Sequence, residues 1–115
     1  MTLPPHDPQW EVTPRGVADL READGCDLLL DVRTPREVET ASIDGAAVIE
    51  MQEVPKRLDE LERFRGKKVV VFCHGGVRSL RVAKYLRDQG FTDAWSMQGG
   101  IHAWSMQIDP SVPKY

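Results

Sequence analysis

Two short aliphatic runs constrain the fold of this chain more than anything else in it. They are Asp27-Leu28-Leu29-Leu30-Asp31-Val32 and Lys67-Lys68-Val69-Val70-Val71-Phe72-Cys73. A strand with one wet face alternates apolar and polar residues, and these runs do not alternate. Unbroken runs of this length suit strands covered on both faces, as in a parallel sheet between helices. Weaker strand candidates lie at 10–12, 46–49 and 93–97. The intervening segments read as helices. Thr13-Pro14 pairs an N-cap with proline at the first helical position, and Gly25 closes that helix. Val54, Leu58, Leu61 and Phe64 predict a second helix ended by Gly66. Leu80, Val82, Ala83 and Leu86 stripe a third, starting near Arg78 or Ser79 and stopping at Gly90. A short fourth runs from about Gly100 through Trp104. Alternating strands and helices predict an α/β domain with a mostly parallel central sheet flanked by helices on both faces.

The 115 residues suffice for one domain and not comfortably for two. Pro4, Pro5 and Pro8 predict a loose, flexible arm over 1–9, and Pro110 and Pro113 a tail over 109–115. The compact unit is then 10–108. Fifteen Lys and Arg against 18 Asp and Glu give a net charge of -3, which speaks against a generally basic nucleic-acid binder. No apolar run approaches a membrane span. The start, MTLPPHDPQW, lacks the basic and apolar parts of a secretory signal. Two cysteines do not make a disulfide framework, so the expectation is a reduced, cytoplasmic protein that binds neither nucleic acid nor membrane.

The chemistry concentrates in Cys73-His74-Gly75-Gly76-Val77-Arg78-Ser79, between the second aliphatic run and the third helix. Ligands of open α/β sheets bind outside the carboxyl ends of the strands, where Cys73 falls. The glycines let successive N–H groups converge on one point, and the helix start adds its unpaired N–H groups and positive dipole end. A cysteine so placed is favoured as the nucleophilic thiolate. Cations in a first helical turn oppose the macrodipole, and an anion bound in the loop would offset that cost at Arg78 and, less forcefully, at Arg81. On this reading Cys73 is a reactive nucleophile, and His74, Gly75, Gly76, Val77, Arg78 and Ser79 form an anion-binding loop around it. The loop is expected to be exposed.

The same residues resemble the active-site loop of rhodanese-type sulfurtransferases, usually Cys-Arg-x-Gly-x-Arg or a close variant. Leu30-Asp31-Val32-Arg33-Thr34-Pro35-Arg36-Glu37-Val38 is similar to that family's Asp-Val-Arg-x-x-x-Glu segment. Ile43-Asp44-Gly45-Ala46 resembles the end of its Gly-His-Ile-x-Gly-Ala segment. Gln98-Gly99-Gly100-Ile101-His102-Ala103-Trp104 resembles its Gly-Gly-x-x-x-Trp signature. His74 stands where many members carry Arg, and Thr40-Ala41-Ser42 lacks the family's histidine. The resemblance implies a rhodanese-like fold and ping-pong sulfur transfer without metal or cofactor. It makes Cys73 the catalytic residue, and His74, Gly75, Gly76, Val77, Arg78 and Ser79 the substrate-binding, persulfide-stabilising loop. Cys73 would take a sulfane sulfur from a small anionic donor such as thiosulfate, hold it as a persulfide on the loop N–H groups, and pass it to cyanide, a thiol or a protein acceptor.

Other readings are weighed on spacing. Cysteine-based phosphatases use Cys-x5-Arg, and that position here is Ser79. Cys26 opens one predicted strand and Cys73 ends another, so in a parallel sheet they lie at opposite ends, too far apart for a disulfide. Cys-x-x-Cys is missing, and no metal-ligand constellation accompanies Cys73-His74. His6 and His102 read as surface or satisfied residues, Trp10, Trp95 and Trp104 as packing. Asp31 is expected to satisfy loop N–H groups, and Arg33 to pair with Glu37 or a nearby acid. The alternative from another class is a non-catalytic or relay module that docks with, or passes sulfur to, a partner protein.

Overall fold

The computed structural model describes residues 7–115. Pro4, Pro5, His6 and most of the arm read from sequence therefore lie outside the described residues. The elements in chain order are β1 (Glu11–Val12), α1 (Pro14–Glu22), β2 (Leu28–Asp31), α2 (Pro35–Thr40), β3 (Ala47–Val48), β4 (Val69–Phe72), α3 (Val77–Asp88), β5 (Ala94–Met97) and α4 (Gly100–Gln107). All five strands join one parallel sheet in the order β1-β5-β4-β2-β3.

Every residue of β2 and β4 is buried, as their unbroken aliphatic runs require. Successive side chains go to opposite faces. Leu28, Leu30, Val69 and Val71 pack with Val54, Leu61, Val82, Ala83 and Leu86. Leu29, Val70 and Phe72 pack with Val17, Met97, Ile101 and Trp104. Thus α3 and the 54–64 segment cover one face, and α1 and α4 the other. Leu28 pairs with Val69 and Asp31 with Phe72. The carboxyl ends of β2 and β4 consequently lie side by side, where the strand order reverses: β2 leads outward to β3, and β4 outward to β5. In a parallel sheet such a switch point leaves a crevice for a ligand.

Several sequence expectations change in detail. The 54–64 stripe is not an α-helix. Met51–Glu53 and Pro55–Phe64 are 3-10 turns, with a break at Arg57, so only Leu61 of the longer stretch is fully buried. The apolar residues still reach the core. α2 does not follow from an apolar stripe, because none of its residues is buried; its start is fixed by Thr34 and Glu37 in a reciprocal capping box with Pro35 behind it. α3 begins at Val77, one residue before the expected range, because Gly76 takes the left-handed conformation (φ 107°) at its N-cap. α4 extends past Trp104 to Gln107. At the end of α1, Asp24 occupies the left-handed position, and Gly25 closes the helix by donating its N–H to Leu20 O at 2.7 Å. Trp104 is core, whereas Trp10 and Trp95 are half-buried and hold the Arg87 guanidinium at 4.4 and 4.5 Å from their ring centres. The segment after α4 is seated on the domain. Val112 is buried in the second core cluster, and its carbonyl accepts from the Ser105 hydroxyl.

Candidate active site

Cys73 follows the last residue of β4, and the chain then curls through 74–76 into α3. The shape of this loop is set from outside. Ile101 N–H donates to Cys73 O at 2.9 Å, and His102 N–H to His74 O at 3.1 Å, so the first turn of α4 pulls both carbonyls outward. Close approach is possible because residue 100 is glycine. A Cβ there would stand 2.6 Å from the His74 carbonyl carbon and closer still to the Cys73 and His74 oxygens.

With the carbonyls turned out, N–H groups face in. Cys73 Sγ accepts from Gly76 N–H at 3.1 Å and from Ser79 N–H at 3.4 Å. The Ser79 hydroxyl lies 3.4 Å from Sγ and 2.7 Å from the Ser96 hydroxyl on β5, and both serines are fully buried. The N–H groups of His74, Gly75, Val77 and Arg78 have no partner among the described residues. Such an arrangement can hold a sulfur anion or a small oxyanion.

The structure brings the seven loop residues together but distributes them unequally. Cys73 is 1% exposed, so its sulfur is recessed where an exposed loop was expected. Val77, by contrast, is 68% exposed and projects from the rim. Beside it runs a groove of about 390 Å³, mainly apolar, bounded by Gly75, Gly76, Leu80, Arg81 and Lys84. Arg81 makes no ion pair among the described residues, but it lies on this flank and not in the loop.

Arg78 is held by a partner that spacing did not identify. Its two Nη groups donate to both oxygens of Glu37, at 2.7 and 2.9 Å. Glu37 also accepts from the Thr34 N–H and hydroxyl, so one carboxylate caps α2 and anchors the loop. The Arg78 hydrogen bonds hold the Glu37 carboxyl well below the usual carboxylate range; burial opposes this, and bonds from Tyr115 and Thr34 reinforce it. Glu37 in turn raises Arg78 above the ordinary guanidinium range.

Arg33 was expected to meet the Glu37 carboxylate or a nearby acid, and it meets Asp31. Fully buried, it donates from Nε and Nη2 to the Asp31 carboxylate at 2.9 and 2.7 Å. Asp31 also accepts the Arg33 N–H at 3.0 Å, which is the loop-satisfying role read from sequence. Desolvation works against the Arg33 charge, but the Asp31 and Tyr115 bonds outweigh it and raise its pKa.

Tyr115 carried no sequence signal for this site. Its ring stacks on His74, with centres 4.2 Å apart, and its hydroxyl lies between Arg33 Nη1 (3.0 Å) and Glu37 Oε2 (2.7 Å). Burial pushes this phenol up to about 12. His102, expected to be surface or satisfied, packs edge-on against His74, with its Nε2 shielded and unpartnered among the described residues. Both cysteines are free; Cys26 precedes β2 and Cys73 follows β4, at opposite ends of parallel strands, and burial raises the Cys26 thiol pKa. Among the described residues no group of three or more His, Cys, Asp or Glu is placed to hold a metal ion.

A model of the rhodanese-like domain matches residues 13–107 of the chain. A sulfurtransferase of Allochromatium vinosum is 38% identical over 85 residues, which cover 74% of this chain and 78% of that protein. A chloroplastic rhodanese-like/PpiC domain-containing protein 12 of Arabidopsis thaliana is 37% identical over 89 residues, which cover 76% of this chain and 30% of its own length. The chain thus spans under a third of that relative. Among solved structures, a rhodanese-like domain protein from Staphylococcus aureus superposes with a TM-score of 0.74 at 30% identity, covering 92% of this chain and 98% of that one.

Proposed function

This chain belongs to the rhodanese-like family, and from that premise we propose that it transfers sulfane sulfur through a persulfide on Cys73. The observation that carries the reading is the convergence of the Gly76 and Ser79 N–H groups on Cys73 Sγ, in a loop whose His74, Gly75, Val77 and Arg78 N–H groups have no partner among the described residues. In the first half-reaction the Cys73 thiolate attacks the outer sulfur of thiosulfate. A Cys73 S–S bond forms, the S–S bond of thiosulfate breaks, and sulfite leaves with the electron pair. The terminal persulfide sulfur then sits among the loop N–H groups, stabilised as an oxyanion would be. Arg78 Nε has no partner among the described residues while Glu37 fixes the Nη side, so the guanidinium offers a positive edge to the anionic donor. In the second half-reaction an acceptor thiolate or cyanide attacks the terminal sulfur, and the Cys73 thiolate leaves. Neither step calls for a metal or an organic cofactor.

The exposed Val77 and the adjoining groove favour a protein thiol over cyanide as the usual acceptor, which makes the chain a sulfur relay. Two free cysteines on opposite ends of the sheet suit a reducing compartment such as the cytoplasm. No helix among the described residues is long and apolar enough to cross a membrane. The test is steady-state kinetics with thiosulfate and cyanide varied together. Parallel double-reciprocal lines, abolished in Cys73→Ser, are expected; intersecting lines, or activity retained in Cys73→Ser, would overturn the mechanism. A protein with no turnover but with a saturable partner would be the docking module instead.

A further inference from the structure

The buried Arg33 raises a problem of competition that Tyr115 resolves. Arg33 uses every one of its guanidinium N–H groups: Nε and Nη2 on Asp31, Nη2 again on Ala41 O at 2.7 Å, and Nη1 on Glu37 O at 3.2 Å and on the Tyr115 hydroxyl. The Tyr115 hydroxyl in turn donates a hydrogen bond to Glu37 Oε2, and Glu37 holds both Nη groups of Arg78. A chain of contacts therefore runs from the core behind β2, through one phenol, to the loop that carries Cys73. Without that hydroxyl, a fully buried Arg33 N–H would have lost its acceptor. On the far side of that hydroxyl lies Glu37 Oε2, and a carboxylate that turned toward Arg33 would loosen its bidentate grip on Arg78.

We propose that Tyr115 is a positioning residue of the sulfur-transfer site, whose hydroxyl supplies Arg33 with an acceptor and so reserves Glu37 for Arg78. Its ring has a second, separable part: it stacks on His74, the loop residue next to Cys73. Tyr115 touches no reacting atom; it acts through Arg78 and His74. The inference rests on the sulfurtransferase reading for its kinetic consequence, not for its geometry.

The test compares Tyr115→Phe and Tyr115→Ala with wild type, using as sulfur donors thiosulfate and an uncharged organic trisulfide supplied with a thiol. Cys73 displaces one thiolate from the trisulfide, and the added thiol removes the remaining organic group as a disulfide, leaving the persulfide. Tyr115→Phe keeps the stack and loses the bridge. The KM for thiosulfate is expected to rise about three- to tenfold, the net effect of about one ordinary hydrogen bond, because Arg78 is loosened and not removed. The kcat and the KM for the uncharged donor should stay unchanged, because Arg78 acts on donor charge. Tyr115→Ala should add a change in the His74 ring signals by NMR. Independently of turnover, Tyr115→Phe should shift or broaden the Arg33 and Arg78 side-chain N–H signals. A general loss for both donors, or an unchanged thiosulfate KM, would overturn the kinetic role; unmoved arginine signals would overturn the positioning role. If wild type uses neither donor, the sulfurtransferase reading falls, and the arginine signals alone decide on Tyr115.

Discussion

The docking of α4 on the Cys73 loop can be tested by three glycine-to-alanine substitutions that separate backbone strain from steric exclusion. Gly75 has no positive φ, and a Cβ there meets nothing within 4 Å. Gly66 has φ +80° and equally open space, so Gly66→Ala isolates the cost of a left-handed alanine, about 1 kcal/mol. Gly100 combines φ +60° with a Cβ position 2.6 Å from the His74 carbonyl carbon. An ordinary carbon contact is ~3.5 Å, so α4 would have to retreat by about 1 Å. The N–H bonds of Ile101 and His102 to Cys73 O and His74 O, now 2.9 and 3.1 Å, would pass beyond bonding distance. Two such bonds at about 1 kcal/mol each, added to the backbone strain, put Gly100→Ala at roughly 3 kcal/mol. That is a large fraction of a typical stability of about 5–15 kcal/mol. Urea unfolding followed by far-UV circular dichroism would measure it. The expected order of stability loss is Gly75→Ala, near zero, then Gly66→Ala, then Gly100→Ala. Sulfur loading should fall in the last alone, because released carbonyls would no longer turn the loop N–H groups inward. If Gly100→Ala proved as stable as Gly66→Ala, the loop would not depend on α4 in this way.

Further expectations concern individual side chains. Arg78→Ala should raise the thiosulfate KM by about tenfold or more, because it removes the cation beside the loop; unchanged thiosulfate kinetics would dismiss its assigned part. The Glu37 pKa lies below its ordinary 4.5, so its ion pair stabilises the fold above that value and is lost as pH falls below it. Acid titration of stability should accordingly slope downward below about pH 4.5 in wild type and be flatter in Glu37→Gln. Ser79→Ala removes the hydroxyl between Cys73 and Ser96 and leaves a buried Ser96 hydroxyl short of a partner, costing about 1–3 kcal/mol in urea unfolding. Cys26→Ser should leave sulfur transfer nearly intact, measured as thiosulfate turnover, since Cys26 stands at the other end of the sheet.

How legible this protein was depended on the range of the interaction. β2 and β4 are written in their own residues, because burial on both faces demands an unbroken aliphatic run. The loop is local as well: glycines, a strand end and a helix start within seven residues suffice to imply converging N–H groups. The 54–64 segment misled because apolar residues at helical spacing also serve 3-10 turns lying on a sheet. α2 was invisible to hydrophobic patterning, although Thr34-Pro35-Arg36-Glu37 carries a capping-box signature that could have revealed it. Least legible were the pairings across the fold. Glu37 meets Arg78 from 41 residues away, and Tyr115 meets Arg33 from 82, so the docked tail could not be read from local residues. Nor did sequence show the recessed position of Cys73, whose thiol lies under the Gly76 and Ser79 N–H groups and beside the paired Ser79 and Ser96 hydroxyls.

The central claim is that Cys73 carries the sulfur, and intact-mass measurement tests it most directly. Wild type and Cys73→Ser would be weighed after incubation with thiosulfate, before and after a reductant. A gain of one sulfur atom on wild type, removed by reductant and missing from Cys73→Ser, is expected. A gain that persists in Cys73→Ser, or no gain on wild type with thiosulfate or a thiosulfonate, would contradict it.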